Sequence, residues 1–315
     1  MRLARQSELR PGELGPTALT IGNFDGVHRG HQYIIEQLKA TARARQLPAV
    51  ALTFDPHPVK LLHPQKGLQL LLPFAERARL LERAGIDVLV TAEFTFELAQ
   101  TPAEVWVQEV LLDLLHVQEL LIGYDFSFGR GRDGNAAHLT TLGEQYGFAV
   151  HQMAAVIEDG WPISSSRIRR LAAAGEMDTA MKLLGRPFHL RGVVAHGDHR
   201  GRGLGFPTAN VTTTWEMAPH IGVYAAVAVV EGQPRAAAVN VGKNPTFELN
   251  ELRIEAYLLD FAGDLYSKEI ELHFVHRLRD EKKFQSVDQL IEAMHRDVEK
   301  TRAIFAQKPP SQWLR

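Results

Sequence analysis

The chain has 315 residues, 45% apolar and 23% charged, with 35 Lys and Arg against 37 Asp and Glu for a net charge of −2. That length holds roughly two domains with their own cores, and the composition excludes a disordered chain, a stapled miniprotein and a global positive field for nucleic acid. The absence of cysteine removes disulfides and thiolate sites, and no apolar run approaches the ~18 residues of a spanning helix, so a cytoplasmic protein, neither secreted nor membrane-inserted, is expected.

In the first half, short apolar runs alternate with helical periodicity, the pattern of parallel β/α units. Strands are expected at 18–21, 49–54, 87–91, 119–123 and 148–155, and helices at 31–45, 74–84, 102–115 and 136–146, which makes an open α/β parallel sheet. Ligands of such sheets bind beyond the carboxyl ends of the strands, so the loops after Ile21, Phe54 and Gly123 are the places to look for chemistry. Two more helices, 165–174 and 176–184, precede Gly185-Arg186-Pro187, and the domain boundary is expected there, giving 1–185 and 186–315. Runs at 190–195, 222–230, 236–241, 253–261 and 269–275, separated by Gly, Pro and Asn, predict a small antiparallel β-barrel. A terminal helix over 286–305 follows; its Ser286-x-x-Gln289 start suits a capping box, and Leu290, Ile291, Met294, Val298 and Ile304 are expected to lie against the barrel.

The segment Gly22-Asn23-Phe24-Asp25-Gly26-Val27-His28-Arg29-Gly30-His31 runs from a strand into a helix, a setting for phosphate: Gly22, Gly26 and Gly30 permit tight turns, and the helix start offers N–H groups. His28 and His31 at that end could hydrogen-bond phosphate oxygens. A zinc pair and two surface histidines are the other readings, but no third zinc ligand stands nearby, and two histidines set at a strand-to-helix turn with a glycine between are not an ordinary solvated face. A second anion site is suggested by Ile163-Ser164-Ser165-Ser166-Arg167-Ile168-Arg169, where hydroxyls and two arginines open a helix; a plain helix cap is the alternative. Phe54-Asp55-Pro56-His57-Pro58 sets Asp55 and His57 at the sheet's carboxyl edge. The run Gly129-x-Gly131-x-x-Gly134 spells a dinucleotide fingerprint, but it comes late and is studded with Arg130, Arg132 and Asp133, so NAD binding is not expected.

In the second half, Gly197, Gly201, Gly203 and Gly205 make a glycine-rich loop able to present N–H groups to phosphates, and Pro207-Thr208-Ala209-Asn210 then supplies two oxygens of the kind Mg²⁺ accepts. His196, His199, Arg200 and Arg202 there also admit a nucleic-acid patch or a solvated turn. On the strand over 253–261, Glu255 shares a face with Tyr257, toward solvent or an enclosed site.

These motifs, in this order, resemble the bacterial bifunctional riboflavin kinase/FMN adenylyltransferase (FAD synthetase) family, over roughly residues 15–305. The resemblance implies a nucleotidyltransferase-type, Rossmann-like first domain that adenylylates FMN to FAD, using an HxGH signature at His28–His31 and an ISSTxIR-like stretch at 163–169. It implies nucleotide contacts at Gly22, Asn23, Phe24, Asp25, Gly30, Asp125, Ser164, Ser165, Ser166, Arg167 and Arg169, with Asp55 and His57 toward the flavin; some relatives carry Asn at the Asp125 position. The second domain, by the same resemblance, phosphorylates riboflavin with ATP and Mg²⁺. Thr208 and Asn210 would sit at the metal, Glu255 would be the general base, and Arg279 would reach the flavin or its phosphate. Relatives usually have Ser or Thr and then His after this Glu, where this chain has Ala256 and Tyr257. Expected partners are riboflavin, FMN and ATP, with no nucleic acid and no membrane. The competing readings are activity of the kinase half alone and a nucleic-acid-binding module.

Overall fold

Runs rich in Ala, Val and Leu such as Ala49–Phe54 make strands buried on both faces, as a parallel sheet between helices requires. The computed structural model describes residues 1–196, 205–243 and 252–314, in two compact units, Met1–Ser164 and Ser165–Arg315.

The first unit is a six-stranded sheet, every pairing parallel, in the order β1-β4-β3-β2-β5-β6. Its strands are β1 (Arg2–Arg5), β2 (Thr17–Ile21), β3 (Ala49–Phe54), β4 (Val88–Ala92), β5 (Val117–Ile122) and β6 (Ala149–Gln152). The helices are α1 (Arg29–Arg45), α2 (Pro58–Leu62), α3 (Phe74–Arg83), α4 (Phe96–Ala99), α5 (Ala103–Trp106), which continues as a π-helical stretch over Val107–Leu114, and α6 (Ala136–Tyr146). From β2 the chain builds outward through β3 and β4, then returns to place β5 on the other side of β2. The crevice at the carboxyl ends of β2 and β5 is therefore the topological switch point where open α/β sheets bind ligands. β1 was not expected, because Arg-Leu-Ala-Arg carries no apolar run; pairing with β4 alone makes it a strand. A two-stranded hairpin, β7 (Ile157–Glu158) with β8 (Trp161–Pro162), completes this unit.

The second unit begins with α7 (Ser165–Ala174) and α8 (Met177–Leu184), so the division by packing falls earlier than residue 185: α8 lies on the barrel strands β9 and β14. The barrel is closed and antiparallel, in the order β10-β13-β12-β11-β14-β9. Its strands are β9 (Phe188–Ala195), β10 (Ala209–Thr212), β11 (Gly222–Val230), β12 (Gln233–Lys243), β13 (Leu252–Leu258) and β14 (Glu269–Arg279). β10 went unforeseen because it follows directly on the glycine-rich stretch; it is the strand that joins β9 to β13 and closes the ring.

α9 (Val287–Gln307) covers part of the barrel's outer face. Ser286 caps it, its hydroxyl accepting from Gln289 N at 3.3 Å, while the Gln289 side chain reaches back to Gln285 N rather than to the cap residue's own amide. The most buried positions of α9 are Ala293, Asp297, Thr301 and Phe305. Leu290, Met294 and Val298, expected to pack on the barrel, instead line a cavity between helix and barrel.

Candidate active sites

In the first unit the turn after β2 is built under backbone strain. Phe24 and Val27 have φ of 48° and 39°, the left-handed region, which is costly for a β-branched residue. The strain is held in place from below. Asp25 is 1% exposed, and its two carboxylate oxygens accept from Leu71 N at 3.1 Å and Leu72 N at 3.2 Å. Arg77, equally buried, donates from Nη1 to Asn23 O at 2.9 Å. Burial pushes the Arg77 guanidinium below its usual range, and the charges of Asp25 and then Asp55 oppose that. Asp25 is thus an inward brace of the loop.

His28 is the N-cap of α1: its Nδ1 accepts from His31 N at 3.4 Å, which assigns the proton of the neutral ring to Nε2. The His28 and His31 rings stack with centroids 3.7 Å apart, and Phe24 meets His31 edge-on. Gly30 permits this arrangement, since a Cβ there would stand 3.1 Å from the His28 ring. The Ile163 carbonyl lies 3.7 Å from that same Cβ position, so the residue preceding Ser164 stands at the start of α1; the β7–β8 hairpin leading to it is tied down by Arg29 Nη1 donating to Glu158 at 2.6 Å. Ser165, Ser166, Arg167 and Arg169 belong to α7, in the second unit, where Arg169 Nη1 stands 3.5 Å from Ser166 Oγ. His57 caps α2 through Nδ1, which accepts from Val59 N at 3.1 Å, and is buried, whereas Asp55 is exposed. Asp125 is exposed in the loop after β5. Beyond it, Phe128 and Gly134 pair as an antiparallel bridge, so the Gly129-x-Gly131-x-x-Gly134 run closes on itself around a 3-10 turn at Arg130–Arg132, and α6 starts after it with Asn135 as its cap.

In the second unit, cross-strand register aligns residues distant in sequence. Asn210 on β10 pairs with Glu255 on β13, which pairs with Asn240 on β12; Val223 on β11 stands between Asn240 and Arg279 on β14. Directly paired residues share a face, so Asn210, Glu255, Asn240 and Arg279 lie in one row across the barrel's outer surface. Glu255, Asn240 and Arg279 line the cavity under α9, about 320 Å³, together with Thr208, Phe206 and Tyr257. The volume is at the lower end of small-molecule sites. Phe206 and Tyr257 meet edge-on, and Phe284 contributes another ring at the cavity. Glu255 therefore faces a cavity that is partly open to solvent. Arg279 lines that site with its guanidinium committed: Nε and Nη2 bind the buried Asp297 at 2.8–3.1 Å and Nη1 donates to Asp280 O at 3.0 Å, which fastens α9 to the barrel. Pro207 and Gly205 are exposed, and Gly197, Gly201 and Gly203 lie outside the described residues.

The expected magnesium can be tested against these donors. Thr208, Asn210 and Glu255 are hard oxygen donors around one cavity and its rim. No group of three or more His, Cys, Asp or Glu side chains placed to hold a metal occurs among the described residues. Such a set fits a cation that shares its coordination with nucleotide phosphates and water.

Family comparison assigns both halves. A family model described as FAD synthetase matches residues 11–167, and one described as riboflavin kinase matches residues 184–305. A bifunctional riboflavin kinase/FMN adenylyltransferase of Haemophilus influenzae is 37% identical over 91% of this chain and 94% of its own length. The chain belongs to the bifunctional riboflavin kinase/FMN adenylyltransferase family. Relatives of the same description from Escherichia coli and Pseudomonas fluorescens are 36% and 38% identical, over 93% and 95% of this chain and 94% and 96% of their own lengths. A crystal structure described as a macrolide-efflux protein from Streptococcus pneumoniae has the same fold throughout, with a TM-score of 0.88 at 32% identity, covering 96% of this chain and 99% of that one. Among the described residues here, no helix is long and apolar enough to cross a membrane.

Within this family frame, sequence reasoning missed Arg77, Arg253 and Asp297. Arg253 alone had a readable signal: two residues before Glu255 on a strand, it shares that residue's face. The other two act through contacts with residues far away in the chain.

Proposed function

We propose that this chain makes FMN and then FAD: residues 186–315 transfer the γ-phosphoryl group of ATP to riboflavin, and residues 1–185 transfer the adenylyl group of a second ATP to FMN. The observation that carries the kinase half is the row Asn210, Glu255, Asn240 beside a cavity lined with aromatic rings. Glu255 accepts the proton of the ribityl 5′-hydroxyl as that oxygen bonds to the γ-phosphorus and the bond to the ADP oxygen breaks. Thr208 and Asn210 hold Mg²⁺, which neutralises phosphate charge when bound. Arg279 positions α9, and through it Leu290, Met294 and Val298 against the flavin.

In the adenylyl transfer an FMN phosphate oxygen bonds to the α-phosphorus and pyrophosphate leaves. His28, His31 and the start of α1 stabilise the charge that builds on the phosphate oxygens. Ser164, Ser165, Ser166, Arg167 and Arg169 add hydroxyl and guanidinium contacts, and His57 and Asp55 face the flavin. Gly22 and Gly30 act by giving the loop room, and Asn23, Phe24 and Asp25 by shaping it; Asp125 lies toward the nucleotide. The cytoplasm is the proposed location.

The test is a time course with riboflavin, ATP and Mg²⁺, products separated chromatographically: FMN appears first and FAD follows. Chelating Mg²⁺ with EDTA stops both steps and added Mg²⁺ restores them. His28→Ala abolishes FAD formation and spares FMN formation, whereas Glu255→Gln blocks FMN formation from riboflavin and leaves the conversion of supplied FMN to FAD intact. FMN without FAD from the unaltered chain refutes the adenylyl-transfer half, and neither product refutes the whole reading.

A further inference from the structure

The carboxylate assigned as the base is already held. Arg253 Nη2 donates to Glu255 Oε1 at 2.6 Å, from two residues earlier on the same face of β13, and both side chains line the cavity. The pair is half-buried, with 33% and 19% of the two side chains exposed. An ion pair this close to water contributes little to stability, so fold maintenance does not account for it. The other cavity cations have partners of their own: Arg279 is bound to Asp297, and Lys282 stands 5.3 Å over the Phe284 ring. Among the described residues, Arg253 is the single group that hydrogen-bonds the Glu255 carboxylate, and it takes only one oxygen.

We propose that Arg253 is a positioning residue for phosphoryl transfer in this cavity: its guanidinium holds Glu255 Oε1, and Oε2 is the oxygen that receives the substrate's hydroxyl proton. This rests on the kinase reading of the cavity. A glutamate turns about three side-chain bonds, and a base must stand within hydrogen-bond reach of the proton it takes. Arg253 removes that freedom from outside the row, while Asn210 and Asn240 flank Glu255 on either side within it. It is the general logic of a base oriented by a third group. The proton passes from the hydroxyl to Oε2, the hydroxyl oxygen bonds to phosphorus, and ADP leaves with the bonding pair; Arg253 gains and loses nothing.

The experiment measures riboflavin phosphorylation by Arg253→Met, Arg253→Lys, Glu255→Gln and Arg253→Met/Glu255→Gln, with the thermal midpoint of each. The expected result is a fall in kcat of about 10- to 100-fold for Arg253→Met with KM for riboflavin and ATP within about two-fold, the scale of a reacting group misplaced by about an ångström. Arg253→Lys recovers most of that loss, because an ammonium still reaches a carboxylate. In the Glu255→Gln background, Arg253→Met lowers the residual rate no further, since there is no base left to orient. Unchanged kcat in Arg253→Met, a rise in KM alone, or equal losses in both backgrounds overturns the proposal. Near-normal turnover in Glu255→Gln overturns instead the assignment of the base on which the proposal rests, so the two failures are told apart.

Discussion

Asp25 offers the sharpest test of how the first unit holds its phosphate loop. Its carboxylate is 1% exposed and receives two backbone N–H groups, from Leu71 and Leu72, themselves 1% and 3% exposed. In Asp25→Ala both amides lose their acceptor where water does not reach. At about 1–3 kcal/mol for each unsatisfied buried group, the loss is about 2–6 kcal/mol. The buried Arg77 also loses the leading charge that favours its ionised form. Asp25→Asn keeps one carbonyl oxygen and turns an NH₂ toward the second amide, so about half that loss is expected. Against a domain stability of about 5–15 kcal/mol, the alanine variant is badly weakened and the asparagine variant folds. Urea unfolding followed by circular dichroism measures the stability, and the two activities are assayed separately. FAD formation from FMN should fall in both variants, while FMN formation from riboflavin persists. A stability within about 0.5 kcal/mol of the wild type for Asp25→Ala would refute the brace, because only a solvated carboxylate is lost so cheaply.

Gly30→Ala places a Cβ 3.1 Å from the His28 ring, so FAD formation should drop by about 10-fold or more while FMN formation is unchanged; equal rates for FAD would show that the ring has room to move. Burial pushes the Tyr224 phenol up to about 12, with Arg277 opposing. The folded state therefore holds this proton more tightly than the unfolded chain: stability is full below about pH 10 and falls by roughly 2–3 kcal/mol as pH rises from about 10 to 12. Tyr224→Phe removes that part of the slope, measured as the difference between urea midpoints of the two proteins across the range. Asp297→Ala frees Arg279, whose side chain is 23% exposed and can hydrate, so about 2 kcal/mol of stability is lost rather than the larger cost of a fully buried pair. Because Leu290, Met294 and Val298 ride on the same helix, KM for riboflavin should rise in that variant, and unchanged KM would separate the helix from flavin binding.

What could be read directly from the chain was everything local. Apolar runs declared the interior strands, with Ala49–Phe54 of the parallel sheet and Gly222–Val230 of the antiparallel barrel bounded by the structure as expected. The loop at 22–31 was legible because glycines, histidines and a helix start lie within one short segment, and the family's motifs are contiguous for the same reason. Tertiary pairing decided the rest. β1 and β10 are strands only because β4, β9 and β13 accept them. The apolar stripe of α9 was visible, but period alone does not distinguish a face that meets the core from one that lines a cavity; that depended on Asp297 meeting Arg279. Asp25 lay inside the expected phosphate loop, yet its carboxylate turned inward, because two amides 46 and 47 residues away required an acceptor. Asn210, Glu255 and Asn240 became neighbours through barrel register, which is set by strands distant in the chain and closed only when the barrel forms.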